Sequence, residues 1–229
     1  MMLSPDEWNA FVLSARVAVC AVLVSLPFGI AAGYLFARRV FPGKWIVETA
    51  VNLPLVLPPV VTGYLLLVLF GRNGPIGGLL ESVFGFRIVF TWMGAALAAA
   101  VVGFPLMVRA IRLAFEAVDP RLEAAARSLG ASGLTAFFTV SLPMAYRGVA
   151  SGSMLAFARS LGEFGATIMI AGNIPGQTQT IPLAVYSFAQ RPGGIEDSWR
   201  LITLSVLLSA MALILSEWLQ RRGRHRDAS

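Results

Sequence analysis

The sequence predicts an all-α integral membrane protein, a bundle of five membrane-spanning helices. Three observations predict it: too little charge for a soluble globule, apolar runs of span length, and basic residues gathered at the ends of those runs. Of the 229 residues, 57% are hydrophobic and 13% charged, against about 25% charged in an ordinary soluble domain. Mean hydropathy is +0.74. The remaining polar surface could not cover a globule, so lipid is the natural solvent. The net charge of +6 does not point to nucleic acid, because the basic residues sit where the positive-inside rule puts them.

Each span follows from length. A helix rises about 1.5 Å per residue, so about 20 apolar residues cross the hydrocarbon. Five segments qualify: about Phe11–Ala37, Trp45–Phe70, Trp92–Phe115, Gly148–Ala171 and Trp199–Gln220. Six spans is the alternative, if Gln179–Gln190 or the N-terminal segment dips into the membrane. The N-terminus reads Met1-Met2-Leu3-Ser4-Pro5-Asp6-Glu7, acidic where a signal peptide needs positive charge. Cys20, the one cysteine, excludes an intrachain disulfide.

Basic residues set direction. Arg38, Arg39, Lys44, Arg109, Arg112, Arg121, Arg127, Arg147, Arg221, Arg222, Arg224 and Arg226 fall on one side of a five-span chain. Arg72, Arg87, Arg191 and Arg200 fall on the other, and Arg16 and Arg159 lie within spans. The bias predicts the N-terminus outside and the C-terminus in the cytoplasm. Arg16 is expected to snorkel to the outer interface, and the Arg221–Arg226 tail to anchor the topology. No internal repeat points to an inverted-repeat secondary transporter.

The segment after the third span is more ordered than a connector. Asp119-Pro120 reads as an N-cap followed by proline at the first helical position. Helix formers run from Arg121 to Leu129, and Gly130 supplies a left-handed stop. Ser132 caps a second short helix, Leu134–Val140, which Leu142-Pro143 is expected to end. Physics alone leaves two readings: a grip for a soluble partner, or an amphipathic hairpin on the lipid surface.

Here the residues resemble a family. Glu123-Ala124-Ala125-Ala126-Arg127-Ser128-Leu129-Gly130-Ala131, then Val140-Ser141-Leu142-Pro143, resembles the EAA loop in permease subunits of ATP-binding-cassette importers. Gly130 and Leu142-Pro143 are in register. The glutamate is not: the pattern places it where Ala124 stands, and one residue turns a helix by about 100°. The resemblance implies a type I permease fold over residues 1–229, one transmembrane domain with a coupling loop at about 116–147. It further implies a homodimer, a cytoplasmic ATPase dimer that holds the ATP and magnesium, and an extracytoplasmic solute-binding protein. No cofactor or metal is expected on this chain. His225 is its one histidine, and it carries no phosphate loop or nucleophile–base pair, so no enzyme activity is expected.

Two stretches resemble the molybdate branch of that family. One is Phe41-Pro42-Gly43-Lys44, then Leu53-Pro54-Leu55-Val56-Leu57-Pro58-Pro59-Val60-Val61-Thr62-Gly63-Tyr64, then Gly71-Arg72-Asn73-Gly74-Pro75-Ile76-Gly77. The other is Phe157-Ala158-Arg159-Ser160-Leu161-Gly162-Glu163-Phe164-Gly165-Ala166-Thr167 with Asn173–Pro182, shared with sulfate permeases. The implied substrate is molybdate or tungstate, with sulfate or thiosulfate as the alternative.

Pore and gate candidates lie in these stretches. Pro54, Pro58 and Pro59 remove backbone donors from the second span, and Thr62 follows them. The result is either a kinked, pore-lining helix or a kink packed on its neighbours. Arg159 is expected near mid-membrane, with Glu163 one turn on as a neutralising partner. The pair is either a structural lock or a gate element. Ser160, Gly162, Gly165 and Thr167 either line a path or let helices approach closely.

Overall fold

The computed structural model describes residues 4–191 and 194–224, without the side chains of 194–197 and 219–224. His225 and Arg226 lie outside the described residues, as do the side chains of Arg221, Arg222 and Arg224 and the residues Met1, Met2 and Leu3. Among the described residues the structure is all-helical.

Helix α1, Pro5–Arg38, starts earlier than the apolar run suggests, because Ser4-Pro5-Asp6-Glu7 is a capping box. Ser4 Oγ accepts from the Glu7 N–H at 3.3 Å, and the Ser4 N–H donates to Glu7 Oε2 at 2.6 Å. The acidic start is therefore a helix cap. Arg16 stacks on Trp92, 3.8 Å from the ring centroid.

The second apolar segment is not one kinked helix. It is two, α2 (Lys44–Val56) and α3 (Pro59–Phe70), bent by 114°. Leu57 precedes proline and takes the extended φ/ψ of −66°/141°, and neither Pro58 nor Pro59 can donate a hydrogen bond. Pro54 sits inside α2 without breaking it. The short helix α4, Pro75–Phe84, follows.

Helix α5, Trp92–Ala117, is the hub. Its most apolar window is 61% buried, against 17% for the last helix, α11 (Gly194–Arg224). One core cluster joins Val17 and Ala21 of α1 to Leu66 of α3 and to Ala95, Ala99 and Val102 of α5. A second joins Met107, Ile111 and Phe115 of α5 to Ala145 and Ala156 further along the chain.

The loop after α5 holds α6 (Pro120–Ser128) and α7 (Gly133–Ala136). The second short helix does not stop at Leu142-Pro143, as expected. It continues through a π turn, Phe137–Ser141, into α8, Leu142–Leu161. Pro143 has no N–H to give to the preceding turn, and the wider π turn carries the chain past it. The fourth segment thus begins at Gly133, not Gly148, and breaks at Gly162–Phe164 with a bend of 68° before α9, Gly165–Ala171. Among the described residues three unbroken helices are long and apolar enough to cross a membrane, and the two bent pairs bring the number to five if each is one span. Gln179–Gln190, one of the two regions that the six-span alternative would use, forms α10, Ile181–Ala189. Nine residues reach about 13 Å, well short of the hydrocarbon thickness.

Candidate functional sites: the α5–α8 loop and the paired helix breaks

The α5–α8 loop is fixed at each turn by local chemistry. The Asp119 carboxylate accepts from the Arg121 N–H at 2.9 Å, and Pro120 opens α6. Gly130 has a φ of +93°, which a β-carbon would oppose. Its N–H donates to Arg127 O at 3.0 Å and that of Ala131 to Ala126 O at 3.1 Å, a Schellman stop. Ser132 Oγ then caps α7 by accepting from the Thr135 N–H at 3.1 Å.

This geometry divides α6 into two faces. Glu123 and Ala126 are half-buried toward the bundle, while Arg121, Leu122, Ala124, Ala125, Arg127, Ser128, Leu129 and Gly130 are exposed. Ala131 and Leu142 are half-buried and Pro143 exposed. Leu129 is 90% exposed and Leu134 is 73%. Both are apolar side chains that the described chain leaves uncovered. Glu123 faces the other way: Tyr34 Oη donates to its Oε1 at 2.7 Å and Ser141 Oγ to its Oε2 at 2.9 Å.

The second candidate site is formed where the two helix breaks meet. Helix α3 packs on α9. A β-carbon on Gly63 would lie 2.6 Å from both Cα and O of Ala166, and one on Gly165 would lie 2.9 Å from Pro59 Cβ. The glycines allow the half-helices to touch backbone to backbone. Thr62, Ser160 and Thr167 are all buried. Ser160 Oγ donates back to Ala156 O at 2.8 Å, and the Thr62 hydroxyl is buried without a hydrogen-bond partner. Pro58 and Pro59 are exposed at the α2–α3 turn. Pro54 instead helps line an apolar cleft of about 480 Å³ between α1, α2 and α5, with Val24, Phe28 and Phe104.

Glu163 sits in the break itself. Its Oε1 accepts from the Ala166 N–H at 2.8 Å, capping α9. Its Oε2 lies 2.8 Å from Arg159 Nη1, an ion-pair approach without hydrogen-bond alignment. The Glu163 side chain is 1% exposed and that of Arg159 30%. Arg159 lies in the last turn of α8, where a cation meets the negative helix end. Since the helix starts at Gly133, Arg159 stands near its far end and not at its middle.

The loop end of the bundle is strongly basic. Arg112 pairs with Glu48 at 2.8 Å and with Glu116 at 2.7 Å, and Arg109 Nε donates to Asn52 Oδ1 at 2.7 Å, so α5 is tied to α2. A cleft of about 840 Å³ opens there between α5 and α8, lined by Leu106, Arg109, Tyr146, Arg147 and Ser151 among others. At the opposite end Glu81 pairs with Arg87, whose guanidinium holds the carboxyl below its ordinary range. Sequence reasoning did not find the contacts made by Tyr34, Ser141 or Gly63, whose partners lie on other helices. Nor did it find the Asn173–Gln179–Ser187 cluster, joined by bonds of 2.7–3.3 Å.

Residues 25–225 match the family model described as "binding-protein-dependent transport system inner membrane component". The chain is 55% identical over 226 residues to the molybdenum transport system permease protein ModB of Escherichia coli strain K12, covering 99% of each chain. It is also 55% identical to the protein of that name from Haemophilus influenzae, covering 94% of each. To the sulfate transport system permease protein CysW of Synechococcus elongatus it is 40% identical, over 77% of this chain and 62% of that one. Among solved structures, a chain of a bacterial alginate ABC transporter superposes with a TM-score of 0.73 at 15% identity, covering 96% of this chain and 80% of that one. That likeness shows the fold.

Proposed function

The chain belongs to the inner membrane components of binding-protein-dependent transport systems, and from that premise we propose that it is the permease of an ATP-driven molybdate importer. The observation that carries the substrate is the contrast in likeness: 55% identity over 99% of the chain to a molybdenum permease, against 40% over 77% to a sulfate permease. Tungstate, the same tetrahedral dianion in shape and charge, is carried with it.

In this reading the N-terminus is outside and the basic loop end of the bundle is cytoplasmic, following the positive-inside rule. Leu129, Leu134 and the exposed face of α6 dock on a separate ATPase subunit, which holds ATP and magnesium. One chain offers one such loop, and cassette ATPases work as pairs, so two copies of this chain assemble about a two-fold axis. An extracytoplasmic binding protein delivers the oxyanion. The paired breaks lie beside the path, their polar groups turned inward. A dianion is then passed without a tight site to trap it.

Uptake of radiolabelled molybdate into vesicles holding the reconstituted complex tests this. ATP-dependent uptake that tungstate competes away and excess sulfate does not is the expected result. Uptake abolished by sulfate would move the chain to the sulfate branch, and uptake independent of ATP would refute an ATP-driven importer.

A further inference from the structure

Two hydroxyl groups from distant parts of the chain meet on one carboxylate in the α5–α8 loop. Tyr34, close to the end of α1, is 89 residues from Glu123 and donates to its Oε1 at 2.7 Å. Ser141, fully buried in the π turn, donates to Oε2 at 2.9 Å. The Tyr34 ring is itself held, edge-on to Phe115 at 5.3 Å and to Phe137 at 4.8 Å between centroids. A second tie runs beside it: Arg38 Nη2 donates to Val118 O at 2.7 Å, at the turn that leads into α6. The carboxylate is turned into the bundle, away from the exposed face that carries Leu129.

The loop is joined to α5 and α8 by the chain itself. It is joined to α1 through these side chains. Packed elements shift as bodies, so a push on α6 reaches α5 and α8 through the backbone, and reaches α1 both through its packing on α5 and α8 and directly from the loop through Tyr34 and Arg38. Hydrogen bonds to a charged group are about twice as strong as neutral ones, which suits a contact that must hold under displacement.

We propose that Glu123 is a positioning residue that latches α6 to α1 and the π turn, so that α1 travels with the loop when the ATPase moves it. The inference rests on the loop's docking role in the proposed function. It also gives the out-of-register glutamate a task. Standing one position before the place the EAA pattern assigns it, Glu123 faces its own bundle and leaves Ala124 on the exposed face.

The test uses the complete reconstituted transporter carrying Tyr34→Phe, which removes one hydroxyl and keeps the ring packing, beside Ser141→Ala. Molybdate imported per ATP hydrolysed should fall about tenfold in Tyr34→Phe, the value of one hydrogen bond to a charged group. Affinity for the ATPase should stay within about twofold of wild type, because the docking face is untouched. Spin labels at Arg39 and Ser128 in a Cys20→Ser background supply a second reading. Their separation should hold between nucleotide-free and ATP-bound states in the otherwise native chain and change in Tyr34→Phe. Native coupling together with an unchanged separation in Tyr34→Phe would overturn the latch. A native permease that captures no ATPase at all would instead overturn the docking role on which the latch depends.

Discussion

The α5–α8 loop and the paired breaks are both built on glycine, and the two glycines do opposite things. Gly130 has nothing within 4 Å of the position its β-carbon would take, and it is needed for its φ of +93°. Gly63 has an ordinary backbone and is needed because Ala166 backbone atoms lie 2.6 Å from where its β-carbon would be. One shapes an exposed surface, the other a buried contact. A change at the first should disturb an encounter with another molecule. A change at the second should disturb the bundle.

The largest effect on stability is expected at Gly63→Val. A side chain forced against backbone cannot be relieved by a rotamer change, and overpacking of this kind costs about 3 kcal/mol or more. Thermal unfolding in detergent should show a large drop in midpoint or no folded protein. Gly162→Ala, which meets nothing within 4 Å, is the control from the same break and should leave the midpoint in place. Equal effects of the two would mean that the α3–α9 contact is not tight.

Glu163→Gln comes next. It leaves Arg159 without its carboxylate and weakens the cap on α9. A fully buried pair broken on one side loses about 3–5 kcal/mol. With the Arg159 side chain 30% exposed, solvent screens part of that loss, and about 2 kcal/mol is expected. Uptake measured alongside decides between the two roles left open for the pair. A lower midpoint with normal uptake at permissive temperature marks a lock; a native midpoint with lost or ATP-independent uptake marks a gate.

The smallest effect is expected at the exposed Glu81–Arg87 pair. The Arg87 guanidinium holds the Glu81 carboxyl below the ordinary glutamate range. Whatever stability the pair adds is thus present above the ordinary unfolded value and lost as the pH falls through the lowered folded one. Melting curves of Glu81→Gln and native protein should nearly coincide at neutral pH and merge fully in acid. A large difference at neutral pH would mean that the α4 region is anchored by this pair.

What could be read from the sequence follows the same division. Asp119-Pro120, Gly130 and Ser132 act within a few residues of themselves, so their caps and stops were legible. The prolines at 58 and 59 signalled a kink, but a bend of 114° depends on α3 lying against α9, a contact between residues about a hundred positions apart. Leu142-Pro143 was misread as a stop because local rules hold no sign of the π turn that carries the chain past it. The capping box at Ser4 was legible, but the apolar run that starts at Phe11 drew the boundary inward. Tyr34 and Ser141 gave no signal, since a tyrosine in an apolar run and a serine in a loop are ordinary until the fold brings both to Glu123.

An exposed loop that couples the bundle to an ATPase must fail when its shape is disturbed. The most direct measurement is molybdate uptake together with ATPase pull-down for Gly130→Val in one preparation. The β-carbon strains the left-handed stop by about 1–2 kcal/mol and should misdirect α7 without touching the buried contacts. Uptake should fall to background and ATPase capture should weaken, while the permease still inserts and still self-associates. Normal uptake with normal ATPase capture would contradict it.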